Sequence, residues 1–454
     1  MRAFARQMTE RMKAVAAGGA VAAFWLAMWV LVAGLVAQPL ILPGPGAVAV
    51  ALLRLVCDVD TWAILAGSGA RILGGLVLAA ACGGVLAGVS VRSRTFARLV
   101  APALSFVKAT PVACVVVLLL IWLGSARVSI AAVFLMALPG VYFSLVEGLA
   151  QVDKPLEQMF RLHGVRGWRL FCAHTWREVL PFALSCARAV IGMSWKAGVA
   201  AELIGMATGT VGERIYQAKL LIETADLLAW TVLIVGASWA CERVLVWLLR
   251  VSGPVAWRAA VRAHGRAGGP AGGGVAAELA LAVGDRAPWA PALDGLVFNV
   301  LAGGRICVMG ASGVGKSTLL ALAAGECAPC SMVFQDVRLV EDASALDNVL
   351  VCADACVDAS SAAALLRLLV PGVDVHARVA ELSGGQRRRV EIARALLCPG
   401  DAVILDEPFT GLDTAARDVC AEVVLDLLDG RMLLLATHDT ADARVLNISD
   451  IITL

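Results

Sequence analysis

Charged side chains are scarce in this chain of 454 residues, at 16% of the sequence against about 25% in ordinary soluble domains. The shortage is confined to the part before about residue 250, and later charges are spread as in a soluble domain. The composition excludes a single soluble domain, and the length is enough for two or three domains. The net charge is only +2, which argues against a nucleic-acid partner.

The chain also lacks a small-residue cleavage site after its first apolar run, which argues against a removable secretory signal. A basic head that includes Arg2 and Lys13 precedes this run, and the run continues to about Val36. That length approaches the ~20 residues that span a bilayer. We therefore expect a retained first membrane helix.

Long apolar runs dominate the first half. Six are long enough to span a bilayer, and they lie at roughly 14–38, 62–90, 101–124, 128–149, 181–203 and 227–249. Arg and Lys cluster before the first run and after the second, fourth and sixth, while the alternate loops are poor in both. The positive-inside rule predicts a multi-pass protein of the lipid bilayer with both termini in the cytoplasm.

The longest cytoplasmic loop, about 150–180, is amphipathic and is interrupted by Gly164. This pattern predicts a helix–turn–helix that presents a knob to a soluble partner. The basic and aromatic residues of the loop also allow a helix that lies on the bilayer surface. The sequence leaves both interpretations open.

Two ionisable residues, Lys196 and Glu202, fall in the fifth apolar run. Such residues are costly in a membrane and usually face protein or water. One interpretation places Lys196 on a substrate path, where it attracts an anion. The other pairs Lys196 with a carboxylate or lets it extend to the interface, and places Glu202 at the periplasmic end.

Residues 253–274 are rich in Gly, Ala and Arg, a composition that forms no core. We expect a flexible tether here. It would divide the chain into a transmembrane domain at 1–252 and a soluble domain at 275–454.

Thirteen cysteines are scattered along the chain. Cys327 and Cys330 have redox or metal spacing, and Cys352 and Cys356 follow them. A zinc site from these four is one hypothesis. Free thiols are the default expectation in a reducing cytosol.

A Gly-rich loop follows a short apolar strand at 305–310 and opens a helix, the context that makes a phosphate-binding loop specific. It consists of Gly310, Ala311, Ser312, Gly313, Val314, Gly315, Lys316, Ser317 and Thr318. Its backbone N–H groups can close around phosphate, and the helix N-terminus adds favourable charge. Lys316 would contact the β- and γ-phosphates of ATP, and Ser317 would be a ligand of Mg²⁺.

A second strand, at 402–405, ends in two carboxylates. Asp406 is placed to hold Mg²⁺, and Glu407 to orient and deprotonate the attacking water as a general base. A purely structural pair of carboxylates is the alternative.

Further motifs resemble those of ATP-binding cassette ATPases. Leu382 begins a stretch that continues with Ser383, Gly384, Gly385 and Gln386 and resembles the family signature, which acts across a dimer on ATP held by the other subunit. The resemblance implies that Gln335 senses Mg²⁺ at the membrane-domain contact, that His438 is the switch at the γ-phosphate, and that Asp413 lies at the dimer seam. The second domain is accordingly expected to be an ATP hydrolase coupled to transport.

The first half resembles the permease subunits of bacterial ATP-binding cassette importers, most closely those of the nitrate/sulfonate/taurine type. The resemblance rests on 42–55, 158–164, 179–181 and 194–205, although residues 158–160 read Gln-Met-Phe where the family has Glu-Ala-Ala. It implies an all-α six-helix transmembrane domain, followed by an α/β phosphate-loop ATPase domain with a helical subdomain.

Two features depart from the family. The chain is short between Lys316 and Gln335, where small antiparallel strands are usual, and no aromatic residue is an obvious adenine partner apart from Trp289. Hydrolysis is still expected, because the residues of the chemistry are present.

Three functions follow from these patterns. The first is a half-importer that pairs with a second copy or a related permease and takes a small solute from a periplasmic or lipid-anchored binding protein at the bacterial cytoplasmic membrane. Nitrate, a sulfonate, taurine or a thiamine precursor are the expected kinds of solute. An exporter half-transporter is the second, because its domain order is the same. A membrane-tethered regulatory ATPase is the third, because the ATPase core is short.

Overall fold

The computed structural model describes residues 2–263, 278–282, 297–327 and 330–454. Trp289 and the 264–274 part of the expected tether lie outside the described residues. The chain divides into two compact units. One comprises Met1–Ala150 and Leu180–Arg250, and the other comprises Gln151–Val179 and Val251–Leu454.

The first unit is built from helices throughout its described residues. They are α1 (Arg2–Val36), α2 (Pro45–Cys57), α3 (Val59–Arg92), α4 (Arg94–Ala109), α5 (Val112–Leu123) and α6 (Ser125–Ala150), followed later in the chain by most of α9 (Trp176–Gly205), α10 (Val211–Leu220) and most of α11 (Thr224–Arg262). The two helices between α6 and α9 belong to the second unit, and they are α7 (Lys154–Leu162) and α8 (Gly167–Leu170).

Helices α3 and α6 pack closely because α3 presents small residues to α6. Gly75, Ala79 and Gly83 recur every fourth residue and therefore share one face of α3. A Cβ atom at Gly75 would lie 2.5 Å from the carbonyl oxygen of Ile130 on α6. Small residues at this spacing let helix backbones approach each other in membrane proteins.

Fewer helices qualify as membrane spans than the sequence predicted. Among the described residues, four are long and apolar enough, namely the 19–36 part of α1, α3, α6 and α11. The run at 101–124 is broken at Thr110 and Pro111 into α4 and α5, which bend by 102° and would make a fifth span if counted together. Proline has no N–H donor and disfavours helical geometry in the preceding residue. The run at 181–203 lies in α9, which is not among the qualifying helices, so the count of six stays a prediction.

The second unit contains a parallel sheet with helices around it. Its remaining elements are β1 (Glu278–Ala282), β2 (Val297–Leu301), β3 (Arg305–Met309), α12 (Lys316–Glu326), β4 (Ser331–Val333), α13 (Ala345–Leu350), α14 (Ala359–Leu369), α15 (Gly384–Leu397), β5 (Ala402–Asp406), α16 (Thr414–Leu427), β6 (Met432–Thr437), α17 (Thr440–Val445) and β7 (Asp450–Thr453). Strands β1 and β2 form a separate antiparallel pair.

The five-stranded sheet has the order β4-β5-β6-β3-β7, with all neighbours parallel. Strands β5 and β6 are buried along their whole length, as expected for parallel strands covered on both faces. The loops that follow β3, β5 and β6 all leave from the carboxyl ends of these parallel strands. Parallel α/β sheets form their ligand sites at these ends. Helices α13, α14 and α15 pack together beside the sheet, as the expected helical subdomain requires.

The first part of the expected tether is helical. Helix α11 continues to Arg262, so the prediction of a flexible segment is wrong for residues 253–262. Trp257 and Ala260 on this stretch are buried in the core of the second unit, and the Trp257 indole donates to Asp347 Oδ2 at 3.3 Å. Burial of these side chains stabilises a helix that the local Gly and Pro content argued against.

Candidate nucleotide site

The phosphate-binding loop lies between β3 and α12, as the motif predicts. Gly313 and Gly315 have φ angles of +81° and +114°, values that glycine adopts without strain. Helix α12 begins at Lys316, immediately after the loop. The buried ammonium group of Lys316 donates to the carbonyls of Gly310 at 2.8 Å and Ala311 at 3.1 Å. The loop therefore places a fixed positive charge and a helix N-terminus beside one cradle of backbone groups.

The two carboxylates after β5 lie beside this loop. Asp406 is buried, and the Ser317 hydroxyl lies close enough to lower its pKa. Burial raises the pKa of Asp406, and the neighbouring Glu407 charge raises it further, against the opposing effects of Ser317 and Lys316. A hydroxyl and a carboxylate that meet in this way offer the hard oxygen ligands that Mg²⁺ prefers.

Glu407 stands next to His438 because β5 and β6 are neighbours. The Glu407 backbone N–H donates to Ala436 on β6 at 2.9 Å, and His438 Nδ1 lies 3.3 Å from Glu407 Oε1. Glu407 has a φ of +45°, a conformation that is costly for a residue other than glycine. The fold thus holds Glu407 in a strained backbone conformation at the carboxyl end of β5.

The signature segment is exposed and forms the start of α15. Ser383 and Gln386 make a reciprocal capping box, with the Ser383 N–H donating to Gln386 Oε1 at 2.8 Å. Ser383 and Gly384 are exposed in the single chain. Asp413 is exposed as well and caps α16 by accepting from the Ala416 N–H at 2.8 Å.

Sequence reasoning missed a buried charge network on α15. Glu391 lies between Arg388, at 3.0 Å, and Arg394, at 3.4 Å, and all three are buried. Arg388 also donates to the carbonyls of Phe334 and Gln335. The Arg-x-x-Glu-x-x-Arg spacing on one helix face was the available signal. The network connects the signature helix to the exposed Gln335.

The 151–179 segment packs against the edge of the sheet. Helices α7 and α8 form a helix–turn–helix around Gly164, whose φ is +77°. Leu156, Met159 and Phe160 of α7 are buried in the same core as the sheet strands. The structure therefore contains the predicted helix–turn–helix, and this face of α7 is buried against the ATPase core of the same chain.

Two backbone groups at the free edge of β4 receive partners from this segment. The Cys330 N–H donates to the Leu162 carbonyl at 3.0 Å, and the Met332 N–H donates to His163 Nε2 at 3.1 Å. These contacts depend on residues about 170 positions apart, so no local pattern could have predicted them.

The two ionisable residues of α9 have different surroundings. Glu202 is fully buried and accepts from Ser68 Oγ at 2.8 Å and Arg71 Nε at 3.1 Å. Lys196 is exposed and forms no ion pair among the described residues. The expectation that Lys196 pairs with a carboxylate is therefore not met in the described chain, whereas Glu202 is paired inside the first unit.

Comparison with known proteins places both halves in one class. Residues 80–254 match the family described as the inner membrane component of binding-protein-dependent transport systems, and residues 293–410 match the ABC transporter family. The chain belongs to the ATP-binding cassette transporters, with a permease domain joined to an ATPase domain that hydrolyses ATP. It is an integral membrane protein.

The curated relatives are similar to the ATPase half. The aliphatic sulfonates import ATP-binding protein SsuB 1 of Paracoccus denitrificans is 33% identical over 37% of this chain and 74% of its own length. The lipoprotein-releasing system ATP-binding protein LolD of Xanthomonas axonopodis pv. citri is 33% identical over 35% of this chain and 78% of its own. The thiamine import ATP-binding protein ThiQ of Jannaschia sp. is 34% identical over 32% of this chain and 76% of its own length.

Proposed function

We propose that two copies of this chain form an ATP-driven importer of a small solute in the bacterial cytoplasmic membrane. The observation that carries the proposal is the match of residues 80–254 to the inner membrane component of binding-protein-dependent systems. Each chain would contribute six membrane helices and have both termini in the cytoplasm. A periplasmic or lipid-anchored binding protein would deliver the solute. Pairing with a related permease is the alternative to a homodimer.

ATP would be held between the loop at 310–318 of one chain and the signature at 383–386 of the other. The exposure of Ser383 and Gly384 supports this arrangement, because a signature that serves a second chain must be accessible. Asp413 would lie at the seam between the two copies. Trp289 would stack on the adenine.

Hydrolysis would be carried out by the residues after β5 and β6. Ser317 and Asp406 would hold Mg²⁺, with Gln335 nearby, and the ion would neutralise charge on the phosphates. Glu407 would take a proton from the attacking water at its carboxylate, and His438 would keep that carboxylate oriented through the 3.3 Å contact between Nδ1 and Oε1.

The 151–179 segment would carry the motion of the ATPase domain to the membrane helices. Its buried contacts with the ATPase core support this role. Arg388 contacts the Gln335 carbonyl, and the neighbouring Arg338 donates to Pro155 in the segment at 3.1 Å. A shift of Gln335 would therefore move the nearby Arg338, which contacts the 151–179 segment at Pro155.

A small anion is the proposed kind of solute. Lys196 is exposed, lies near the middle of a predicted apolar run and forms no ion pair among the described residues. An uncompensated ammonium in a membrane run attracts anions if it lines a water-filled path. The sulfonate-import name of one relative is consistent with this, and the thiamine-import name of another suggests a thiamine precursor instead.

Replacing Lys196 by methionine tests the path. Uptake of an anionic solute by vesicles should fall, and uptake of a neutral solute should not. Lys219→Met is the matched control, because Lys219 is exposed on α10, outside the apolar runs. Unchanged anion uptake in Lys196→Met would remove Lys196 from the path.

The direction of transport is tested with Glu407→Gln, which should bind ATP without hydrolysing it and hold the dimer closed. The variant is solubilised from native membranes with ATP, and the co-purifying proteins are identified. Glu422→Gln, an exposed position on α16, is the control. A captured binding protein would support import, and its bound ligand would identify the solute.

Capture of the chain alone would count against the importer. Solute flux in inverted vesicles would then distinguish export, which the lipoprotein-releasing relative makes the second candidate, from a tethered ATPase. Hydrolysis without flux in either direction would favour the tethered ATPase.

A further inference from the structure

Three helix C-termini meet beneath the 151–179 segment. His163 directly follows α7, Cys352 comes two residues after α13, and Cys398 directly follows α15. A nitrogen of the imidazole ring and the two sulfur atoms all lie within 4.8 Å of one another. The three residues are at most 3% exposed. One ligand-type atom from the segment thus faces two from the ATPase core.

Only one of the two ring nitrogens of His163 makes a hydrogen bond. Its Nε2 accepts from the Met332 N–H at 3.1 Å, whereas its buried Nδ1 makes no hydrogen bond. A buried polar atom without a partner is costly and requires an explanation. Helix C-termini carry partial negative charge, so the convergence of three favours a cation at this point.

The two sulfur atoms lie next to each other in the core. Cys398 Sγ contacts the Cys352 carbonyl at 3.0 Å. The thiolate is the form of cysteine that binds metals.

We propose that His163, Cys352 and Cys398 bind one thiophilic d¹⁰ ion, Zn²⁺ or Cu(I), which ties the 151–179 segment to the ATPase core. Soft thiolate ligands with an imidazole select these ions. The described residues provide no fourth His, Cys or carboxylate in the cluster. Three-coordinate Cu(I), or Zn²⁺ with a water in the fourth position, fits such a donor set.

Binding has a defined proton balance. Each thiol releases its proton as its sulfur becomes a ligand. The Met332 N–H holds Nε2 as an acceptor, so the neutral ring carries its proton on Nδ1. The ion takes the Nδ1 lone pair, the proton that Nδ1 carried moves to Nε2, and the hydrogen bond from the Met332 N–H to Nε2 is lost in exchange for the metal bond.

This site is not the one that cysteine spacing suggested. Of Cys327, Cys330, Cys352 and Cys356, only Cys352 belongs to the cluster. Cys356 is exposed, and Cys330 Sγ faces the Ala324 carbonyl. The inference does not depend on the direction of transport, because the segment packs on the ATPase core in either case.

The test is metal content of the full chain, purified in detergent from cells supplied with zinc and copper. One ion per chain is expected in the unaltered protein and in Cys356→Ser, and none in the double variant Cys352→Ser/Cys398→Ser. His163→Gln keeps an acceptor for the Met332 N–H but removes the ring ligand. Its metal affinity should fall by more than the roughly 10–100-fold that loss of an outer-shell partner costs.

A second measurement uses the unaltered chain and so does not depend on the variants folding. Alkylation mapped by mass spectrometry should modify Cys352 and Cys398 only after a chelator is added, and the same chelator should increase protease cleavage within 151–179. A metal-free chain with both thiols reduced would overturn the proposal. A Cys352–Cys398 disulfide would overturn it in favour of a redox pair.

Discussion

Replacing Gly75 by alanine should destabilise the membrane unit, whereas the same change at Gly74 should not. A Cβ atom at residue 75 would lie 2.5 Å from the Ile130 carbonyl oxygen and 2.9 Å from Val133 Cβ. Nothing lies within 4 Å of a Cβ atom at residue 74. Non-bonded carbon contacts are ordinarily about 3.5–4.0 Å, so α3 and α6 would have to separate by about 1 Å near this point.

The magnitude follows from comparing the two variants. Both replace a helical glycine by alanine, and both gain the same helix propensity, about 1 kcal/mol. The difference between their free energies of unfolding therefore isolates the steric cost, which for an overpacked core is about 1–3 kcal/mol. For a unit of this size, that difference corresponds to roughly 2–12 °C in unfolding temperature.

The assay is size-exclusion chromatography of the detergent-solubilised variants after stepwise heating. Gly75→Ala should lose its monodisperse peak at a lower temperature than Gly74→Ala, which should match or exceed the unaltered chain. Equal temperatures for the two variants would refute the close approach of α3 to α6.

Two further predictions concern the ATPase unit. Glu391→Gln leaves two buried arginines without their shared countercharge and should lower the free energy of unfolding of this unit by about 3–5 kcal/mol. The same change at the exposed Glu422 should alter that free energy by no more than about 0.5 kcal/mol. If the two variants unfolded at the same temperature, the buried charge network would be contradicted. Because burial raises the pKa of Asp406, protons should compete with Mg²⁺ for this carboxylate at a higher pH than they would at an exposed carboxylate. The affinity for ATP in the presence of Mg²⁺ should therefore fall as the pH decreases, and it should fall more steeply than the affinity for ATP in EDTA. Asp406→Asn should remove that difference, and parallel curves in the unaltered chain would show that Asp406 does not hold the ion.

The parts of the fold that sequence predicted are those with local causes. The loop at 310–318 follows β3 and opens α12 because glycine, lysine and strand residues lie in one short stretch. The carboxylates at 406 and 407 follow a strand for the same reason. Gly164 marked the turn of the helix–turn–helix, since its positive φ is a property of that residue alone.

The parts that sequence could not predict depend on distant partners. Trp257 turns a Gly- and Ala-rich stretch into a docked helix by reaching Asp347, 90 positions away. His163 and Cys352 come together only when the segment packs on the ATPase core. The break at Pro111 had a local signal, but the apolar run around it concealed the bend.

The covering of strand β4 has a consequence for dividing the chain. Residues 151–179 are encoded between membrane helices, yet they are part of the compact body of the ATPase. A protein begun at residue 253 would retain every motif of the nucleotide site and lose the partners of the Cys330 and Met332 N–H groups. Its sheet would end in an open strand with apolar surface beside it, the kind of edge at which proteins aggregate. We therefore expect that the ATPase half of the chain does not fold stably by itself, and that a stable version needs the 151–179 peptide supplied with it.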